Sequence, residues 1–520
     1  MRNTGATIGE RYWHDSLLDT VEMLSRGMGE EGSPDEPPKF KTYLGRPRLP
    51  LPQRLPLTIG TVGSAFAGGA SRELDLDLLG TLLYYGYGFS RVDVGAVGGW
   101  PYHRLVPSAR CFYPTELYVC IPGPGGLPCG VHHYDQLHHA LVTLREDAHE
   151  EILAAAVGAD LDRAAMVVVL TSHFWKTAFR YRHYAYRLCT QEAGMVAGNV
   201  LLVAAALGLG GHVHHQFLDA ALDRLLGVAP GEERSMAVIP LFPAGSTPLR
   251  PRRRDGSMSA SDLAATLPVI DAPFRDVPKD LSLASDVYEI DSNSVLEDTC
   301  EFTAPLPPPE TNTDGHRVPL PSVGGDPDLA DALRTRNSGG TLFRPLRKPI
   351  DGTALARIAR YPVHSYISDI GGTPLGEVYL VVQHVDGVDV GVYRCERDGA
   401  AMSRLGSLPK DRLDATVLGP SVVDMAAVNV VCYVVTDRHR RADRHGNRGY
   451  RIAGIDAGIV AQRICVLAGA GGLAARPING YAVREVLRLL GIEDPARTPM
   501  FQIAIGQRTI NAQYEMPIVF

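Results

Sequence analysis

Two periodicities alternate along this chain. TELYVCI (115–121) and EVYLVVQ (377–383) set β-branched and aromatic residues at the two-residue spacing of strands. LDAALDRLLGV (218–228) and VREVLRLLGI (483–492) set apolar residues three and four apart, the spacing of amphipathic helices. Each of those helices follows a glycine-containing loop, LGLGGHVHHQF (207–217) or AARPINGY (474–481). Longer apolar runs, AGMVAGNVLLVAAALGLGG (193–211) and AGIVAQRICVLAGAGGLAA (457–475), predict one buried helix in each half. The first has 19 residues without a charge, about the length of a membrane span. The second carries Arg463 at its centre, so both are expected inside the protein and not in a bilayer.

The same elements therefore occur twice. Glu116-Leu117-Tyr118 corresponds to Glu377-Val378-Tyr379 and Gly130-Val131 to Gly391-Val392, both at an offset of 261; AYRLCTQEAGMVAGNVLL (185–202) corresponds to GYRIAGIDAGIVAQRICV (449–466) at 264. A drift of three residues over that distance marks two copies of one unit. The expected division is an N-terminal helix and Pro-rich arm (1–73), a first domain (74–245), a Pro/Ser/Asp-rich linker (246–330) crossing the surface, and a second, diverged domain (331–520). Strand and helix patterns interleaved in each copy predict an α+β layered fold used twice, with the two apolar helices against each other across a pseudo-two-fold axis.

Composition narrows the functional classes. A net charge of −7 offers no field for nucleic acid, and the runs Arg252–Arg254 and His439–Arg441 are read as solvated loops. Eight cysteines, none in a Cys-x-x-Cys pair, exclude a zinc ribbon or a secreted disulfide framework. The N-terminus MRNTGATIGERYWHD carries charges where a signal peptide needs an apolar core, which predicts a cytoplasmic protein.

The chemistry is expected near LVPSARCFYPTELYV (105–119). Pro107-Ser108-Ala109-Arg110-Cys111-Phe112-Tyr113-Pro114 resembles the turn Pro-Ser-Ala-Gly-Ala-Leu-Tyr-Pro of the nitroreductase-like flavoproteins, in particular the SagB-type dehydrogenases that oxidise azolines to azoles in ribosomally made peptides. GLPCGVHHYD (126–135), the AYR…EAG…N pattern of 185–199 and the arm FKTYLGRPRLPLP (40–52) extend the resemblance. It implies two tandem nitroreductase-like domains packed as an intramolecular pseudo-dimer, with flavin mononucleotide (FMN) at the interface. It also implies an azoline-containing precursor peptide as substrate and a cyclodehydratase as partner, leaving further dimerisation open.

The family's Arg-x-Ser phosphate motif is similar to Arg336-Asn337-Ser338 in the second copy, whereas the first has only Ala70-Ser71-Arg72-Glu73 there. Conversely, the first copy keeps Pro107-Ser108 and the second has Ser368-Asp369-Ile370-Gly371. The resemblance therefore implies one composite flavin site. Pro107, Ser108, Ala109 and Arg110 come from the first copy, and Arg336, Asn337, Ser338, Gly480 and Arg508 from the second. Asn199 is a weaker candidate on the apolar helix. An exposed loop or helix cap is the plain alternative for Arg336–Ser338, and a strand-entering turn for Pro107-Ser108.

Relatives carry a Lys-Tyr pair where this chain has Arg180-Tyr181, and arginine is no base at neutral pH. Tyr181, its pKa lowered by the neighbouring cation, is the expected base, with Glu192 the alternative. His212, His214 and His215 lack an acidic or cysteine partner at ligand spacing and are expected in an exposed loop, so no metal is predicted. Two other functions stay open: a flavin oxidoreductase acting on nitro or quinone compounds, and a flavin-free scaffold that docks peptide or cyclodehydratase.

Overall fold

The computed structural model of the protein describes residues 3, 5, 7–94, 101–123, 126–246, 256–270, 280–307, 314–409, 412–418, 422–438, 444–508 and 514–518. The basic runs Arg252–Arg254 and His439–Arg441 lie outside the described residues.

The strands, in chain order, are β1 (Arg48–Pro50), β2 (Phe89–Val94), β3 (Tyr102–Arg104), β4 (Thr115–Ile121), β5 (Gly130–Asp135), β6 (Ala140–Arg145), β7 (Met166–His173), β8 (Leu209–Val213) and β9 (Glu233–Pro243). The second half supplies β10 (His316–Pro319), β11 (Ile367–Ser368), β12 (Glu377–Val382), β13 (Gly391–Cys395), β14 (Ala401–Gly406), β15 (Val430–Asp437), β16 (Leu473–Ile478), β17 (Arg497–Gln507) and β18 (Tyr514–Pro517). One sheet runs β1-β6-β5-β4-β7-β9-β8-β11 and another β10-β14-β13-β12-β15-β17-β16. The repeat read from the sequence is thus the same strand order built twice. The one addition is β11, a second-half strand that joins the edge of the first sheet.

Alternation along the strands sorts their side chains between layers. In β4, Leu117, Val119 and Ile121 enter the large central core. Tyr118 and Cys120 face a second core closed by Ala221, Leu222, Leu225 and Leu226 of the helix Asp219–Leu226. That helix stops at Gly227 in the left-handed region, and its counterpart Val483–Leu490 stops at Gly491 in the same way.

The central core is organised by the two long helices, Ala185–Ala206 and Arg448–Ala470, which are buried almost throughout and cross each other closely. Their backbones meet at glycines: a Cβ on Gly194 would lie 2.1 Å from the Ile455 carbonyl oxygen, and one on Gly458 2.2 Å from that of Gln191. Gly194 and Gly458 are themselves 264 positions apart, so the pseudo-dyad runs between them.

The N- and C-terminal arms tie the halves together. β18 pairs with β2, carrying the end of the second half onto the first. The linker 246–330 departs from the expected surface crossing. β10 joins the second sheet, and Val287, Ile290 and Asp291 are buried. Asp291 accepts from Arg451 of the second long helix at 3.1 Å and from Arg234 of β9 at 2.9 Å. Two guanidinium groups thus meet the oxygens of this buried side chain.

Candidate active site

The turn between β3 and β4 forms one wall of a cleft between the halves. Ser108 anchors it, its hydroxyl accepting from the Tyr113 amide at 2.9 Å and its carbonyl from the Cys111 amide at 3.3 Å. Arg110, Cys111 and Tyr113 all lie in the left-handed region, with φ of 51°, 59° and 49°. The position where the resembled family has glycine is therefore one that glycine would favour, and Arg110 occupies it at a conformational cost of about 1 kcal/mol. Burial of Phe112 and Tyr113 holds the turn in this shape.

Glu192 lies beneath the turn. Its carboxyl hydrogen-bonds Ser108 and accepts from the Tyr87 hydroxyl at 3.0 Å. Burial raises its pKa against the pull of those bonds and of Arg104. Arg104, fully buried, lies 4.4 Å from the Tyr87 ring centre and 4.7 Å from that of Tyr113. Glu192 is thus the support of the Ser108 turn.

The second wall comes from the other half. Arg336 ends the helix Leu329–Thr335 and reaches across the interface, Nε donating to the Leu105 carbonyl at 2.9 Å and Nη2 to that of Arg104 at 3.0 Å. Its Nη1 is buried and meets no hydrogen-bond partner among the described residues. Burial, reinforced by Arg91 close by, lowers the Arg336 pKa, yet a guanidinium stays charged. Asn337 turns the chain, its side-chain oxygen accepting from Gly339 at 3.0 Å and its carbonyl from Ala475 of β16 at 3.0 Å; Ser338 is half-buried between them.

The third wall is the end of β16. Arg476 donates to the Gly340 carbonyl at 2.7 Å, which ties the end of β16 to the loop after Ser338. The Asn479 carbonyl accepts from Tyr184 at 3.2 Å, and its side-chain amide donates to Gln191 at 2.7 Å. No acceptor faces the backbone amides of Asn479 and Gly480 among the described residues. A Cβ built on Gly480 would meet nothing within 4 Å. The interface between the halves thus carries a buried cation with one N–H unmatched among the described residues, two adjacent backbone amides and, at Gly480, open space, a set that fits a ligand with an anionic group and hydrogen-bond acceptors.

The remaining residues fall in different places. Tyr181 is half-buried beside Arg110, which hydrogen-bonds it and also donates to Glu31 at 2.6 Å. The expected lowering of the Tyr181 pKa is corrected: burial raises it, outweighing Arg110 and Arg180. Arg180 is bound to the N-terminal arm, its Nη1 donating to the Gly29 carbonyl and its own carbonyl accepting from Gly29 at 3.0 Å. Asn199 lies deep in the helix crossing. It donates to the Tyr85 and Gly86 carbonyls at 2.7 and 2.9 Å and accepts from Gln462 at 2.9 Å, which commits its amide to packing. Arg508 is exposed, one residue beyond β17. His212, His214 and His215 are buried and not on an exposed loop.

Arg91, Arg104 and Arg476 went unnoticed in the sequence because each lies on a strand outside any motif. Arg476 alone had a local signal, four residues ahead of Gly480.

Comparison with known proteins gives this arrangement a class. The model of the nitroreductase family matches residues 74–241 and 408–507, more than half of the chain. The chain belongs to that family. It is 32% identical over 127 residues to a protein of Methanocaldococcus jannaschii assigned to the nitroreductases, covering 24% of this chain and 64% of that one. It is 26% identical over 156 residues to the microcin B17-processing protein McbC of Escherichia coli, covering 29% of this chain and 54% of that one. The chain thus spans less than two thirds of either curated relative. A crystal structure from Anabaena variabilis, also assigned to the nitroreductases, superposes with a TM-score of 0.71 at 20% identity over 96% of this chain and 99% of that one. The two-sheet fold is therefore common to both chains along their length.

Proposed function

We propose that the cleft holds FMN and that the protein is a dehydrogenase oxidising thiazoline or oxazoline rings to azoles in a ribosomally made peptide. The observation that carries this reading is Arg336, delivered by the second half to the foot of the Pro107-Ser108 turn with one buried N–H unmatched among the described residues. Similarity to McbC, a peptide-processing protein, favours a peptide substrate over a free small molecule.

Bound FMN supplies a two-electron acceptor; the chain supplies the rest. Arg336 would hold the phosphate with help from Ser338 and Arg508, and Asn337 shapes the loop that carries Ser338. The Asn479 and Gly480 amides would offer hydrogen bonds to the acceptor atoms of FMN, and Pro107, Ser108, Ala109 and Arg110 would line the site from the first half. Glu192 positions this turn through Ser108.

The phenolate form of Tyr181 takes the azoline proton, which is acidified by the neighbouring imine and carbonyl, and becomes the neutral phenol; Arg110 beside it favours the phenolate needed beforehand. Arg180 fixes the helix that carries Tyr181. Because burial keeps the phenol protonated, activity is expected to rise with pH through the neutral range. Azoline rings come from a cyclodehydratase, the natural partner. The eight unpaired cysteines suit the reducing cytoplasm.

A second reading has its own support, since the relative with 32% identity is assigned to the nitroreductases: reduction of nitro or quinone compounds by a nicotinamide. One experiment separates the two. The purified protein is mixed with azoline peptide in air, without nicotinamide, and followed for oxygen uptake and for a mass loss of two hydrogens. Loss of both hydrogens with release of FMN on heating is the expected result. A flavin reduced by nicotinamide with no change in the peptide overturns it, and a colourless protein rejects FMN altogether.

A further inference from the structure

The pseudo-dyad that creates the open cleft creates a second one at the opposite end of the helix crossing, and the chain has filled it with itself. In the loops after the long helices, His215 corresponds to Asn479 and Gln216 to Gly480, at the same offset of 264 that relates Tyr184 to Arg448. The geometry follows the correspondence. Tyr184 holds the Asn479 carbonyl at 3.2 Å, and Arg448 holds the His215 carbonyl at 2.7 Å. Both loops therefore present the same pair of consecutive backbone amides to their clefts.

What meets those amides differs. In the second cleft the segment corresponding to the Pro107-Ser108 turn becomes β11 and pairs in parallel with β8, Ile367 opposite His212 and Ser368 opposite Val213. The chain then places Asp369, the counterpart of Ser108, so that its two carboxylate oxygens accept from the His215 amide at 2.9 Å and the Gln216 amide at 2.8 Å. The Asp369 amide is taken by the Val213 carbonyl at 3.1 Å. In the open cleft Ser108 does the reverse: its hydroxyl turns back onto Tyr113 and Glu192. The Asn479 and Gly480 amides are left without an acceptor among the described residues.

We infer that the second cleft is a self-ligated site, in which the Asp369 carboxylate occupies the amide pair that the first cleft keeps for a ligand. This has two consequences. The chain has one ligand-binding cleft of this kind and not two, so it binds one FMN, a count that rests on the FMN reading above. The Asp369 carboxylate also displays the chemistry the Asn479–Gly480 pair selects, namely two acceptor atoms at hydrogen-bonding distance from successive amides.

Amide hydrogen exchange on the holoprotein, before and after FMN is stripped, tests the self-ligation without reference to catalysis. The His215 and Gln216 amides are expected to be protected in both states. The Asn479 and Gly480 amides should exchange about tenfold or more faster after stripping. Asp369→Ala should release both amides of the first pair, and Asp369→Asn, which keeps one acceptor oxygen, only one of them. Exchange of His215 and Gln216 that ignores Asp369 overturns the inference.

FMN titration supplies the count. One equivalent per chain, lost in a single phase in Arg336→Lys, is expected; two equivalents refute it. Were no FMN to bind while Asp369→Ala still exposed the two amides, the FMN reading and its count would fall and self-ligation would stand.

Discussion

The centre of the molecule and its two clefts obey different rules. At the crossing of the long helices the halves are nearly interchangeable, with Gly194 set against Ile455 and Gly458 against Gln191 at backbone contact. At the clefts they have parted: one keeps a buried Arg336 with an N–H, and an amide pair, that meet no acceptor among the described residues, while the other has closed over Asp369. Close packing leaves the crossing no room for change on either side, because any added atom displaces backbone. A cleft contributes little burial, so one of two can be sealed by a single carboxylate and a two-residue strand while the fold persists.

That contrast can be broken first at its rigid part. Gly458→Leu should cost about 3 kcal/mol or more and leave little folded protein, read by soluble yield and chemical denaturation, because the new side chain would run into the backbone of Gln191, Gly194 and Met195. The same outcome for Gly194→Leu would confirm that both halves answer to the dyad. Tolerance at either site would show that the crossing can open.

The next effects lie in the open cleft. Tyr181→Phe should lower kcat by about 10²–10³-fold while FMN content and KM hold. It should also abolish the rise of kcat with pH, which in the native enzyme follows the small phenolate fraction of a group whose pKa burial has raised. A variant with an intact pH profile would remove Tyr181 from proton transfer. Arg336→Lys should weaken FMN about ten- to a hundredfold, since the lone ammonium cannot reproduce the fork that holds both the carbonyls and the phosphate. Unchanged affinity by equilibrium dialysis would place the phosphate elsewhere.

The smallest test concerns the closed half. Burial lowers the folded-state pKa of His214 to about 3 and of His139 to about 4. The unfolded chain takes up protons on both rings near pH 6.5. Stability present above that pH should therefore fall as pH drops from about 6.5 toward 4, by up to about 1.4 kcal/mol per pH unit for each ring. In His214→Ile, which installs the residue of the corresponding position 478, denaturation midpoints between pH 7 and 5 should decline less steeply. An unchanged slope would mean that the His214 ring takes up its proton as readily in the fold as in the unfolded chain.

Much of this organisation was written in the order of residues. Strand and helix periodicities, the offsets of 261 and 264 and the uneven inheritance of Pro107-Ser108 and Arg336–Ser338 needed only neighbours in the chain to be read. So did the internal position of the two apolar helices, because Arg463 rules the second out as a lipid-facing span.

Other features depend on residues that only folding brings together. The ionisation of Tyr181 was misjudged because a neighbouring cation is visible in sequence and the depth of burial is not. Asn199, spaced two turns from Glu192, looked like a cleft residue; the helix crossing turns it toward Gln462 and the Tyr85 and Gly86 carbonyls. The buried linker carboxylate Asp291 is held by arginines from β9 and the second long helix, far away in the chain. Local pattern determined that this protein is a duplicated α+β chain carrying unequal halves of a site. Tertiary structure alone decided which amides stay open and which are capped, because hydrogen-bond satisfaction is settled by distances between segments more than 150 residues apart.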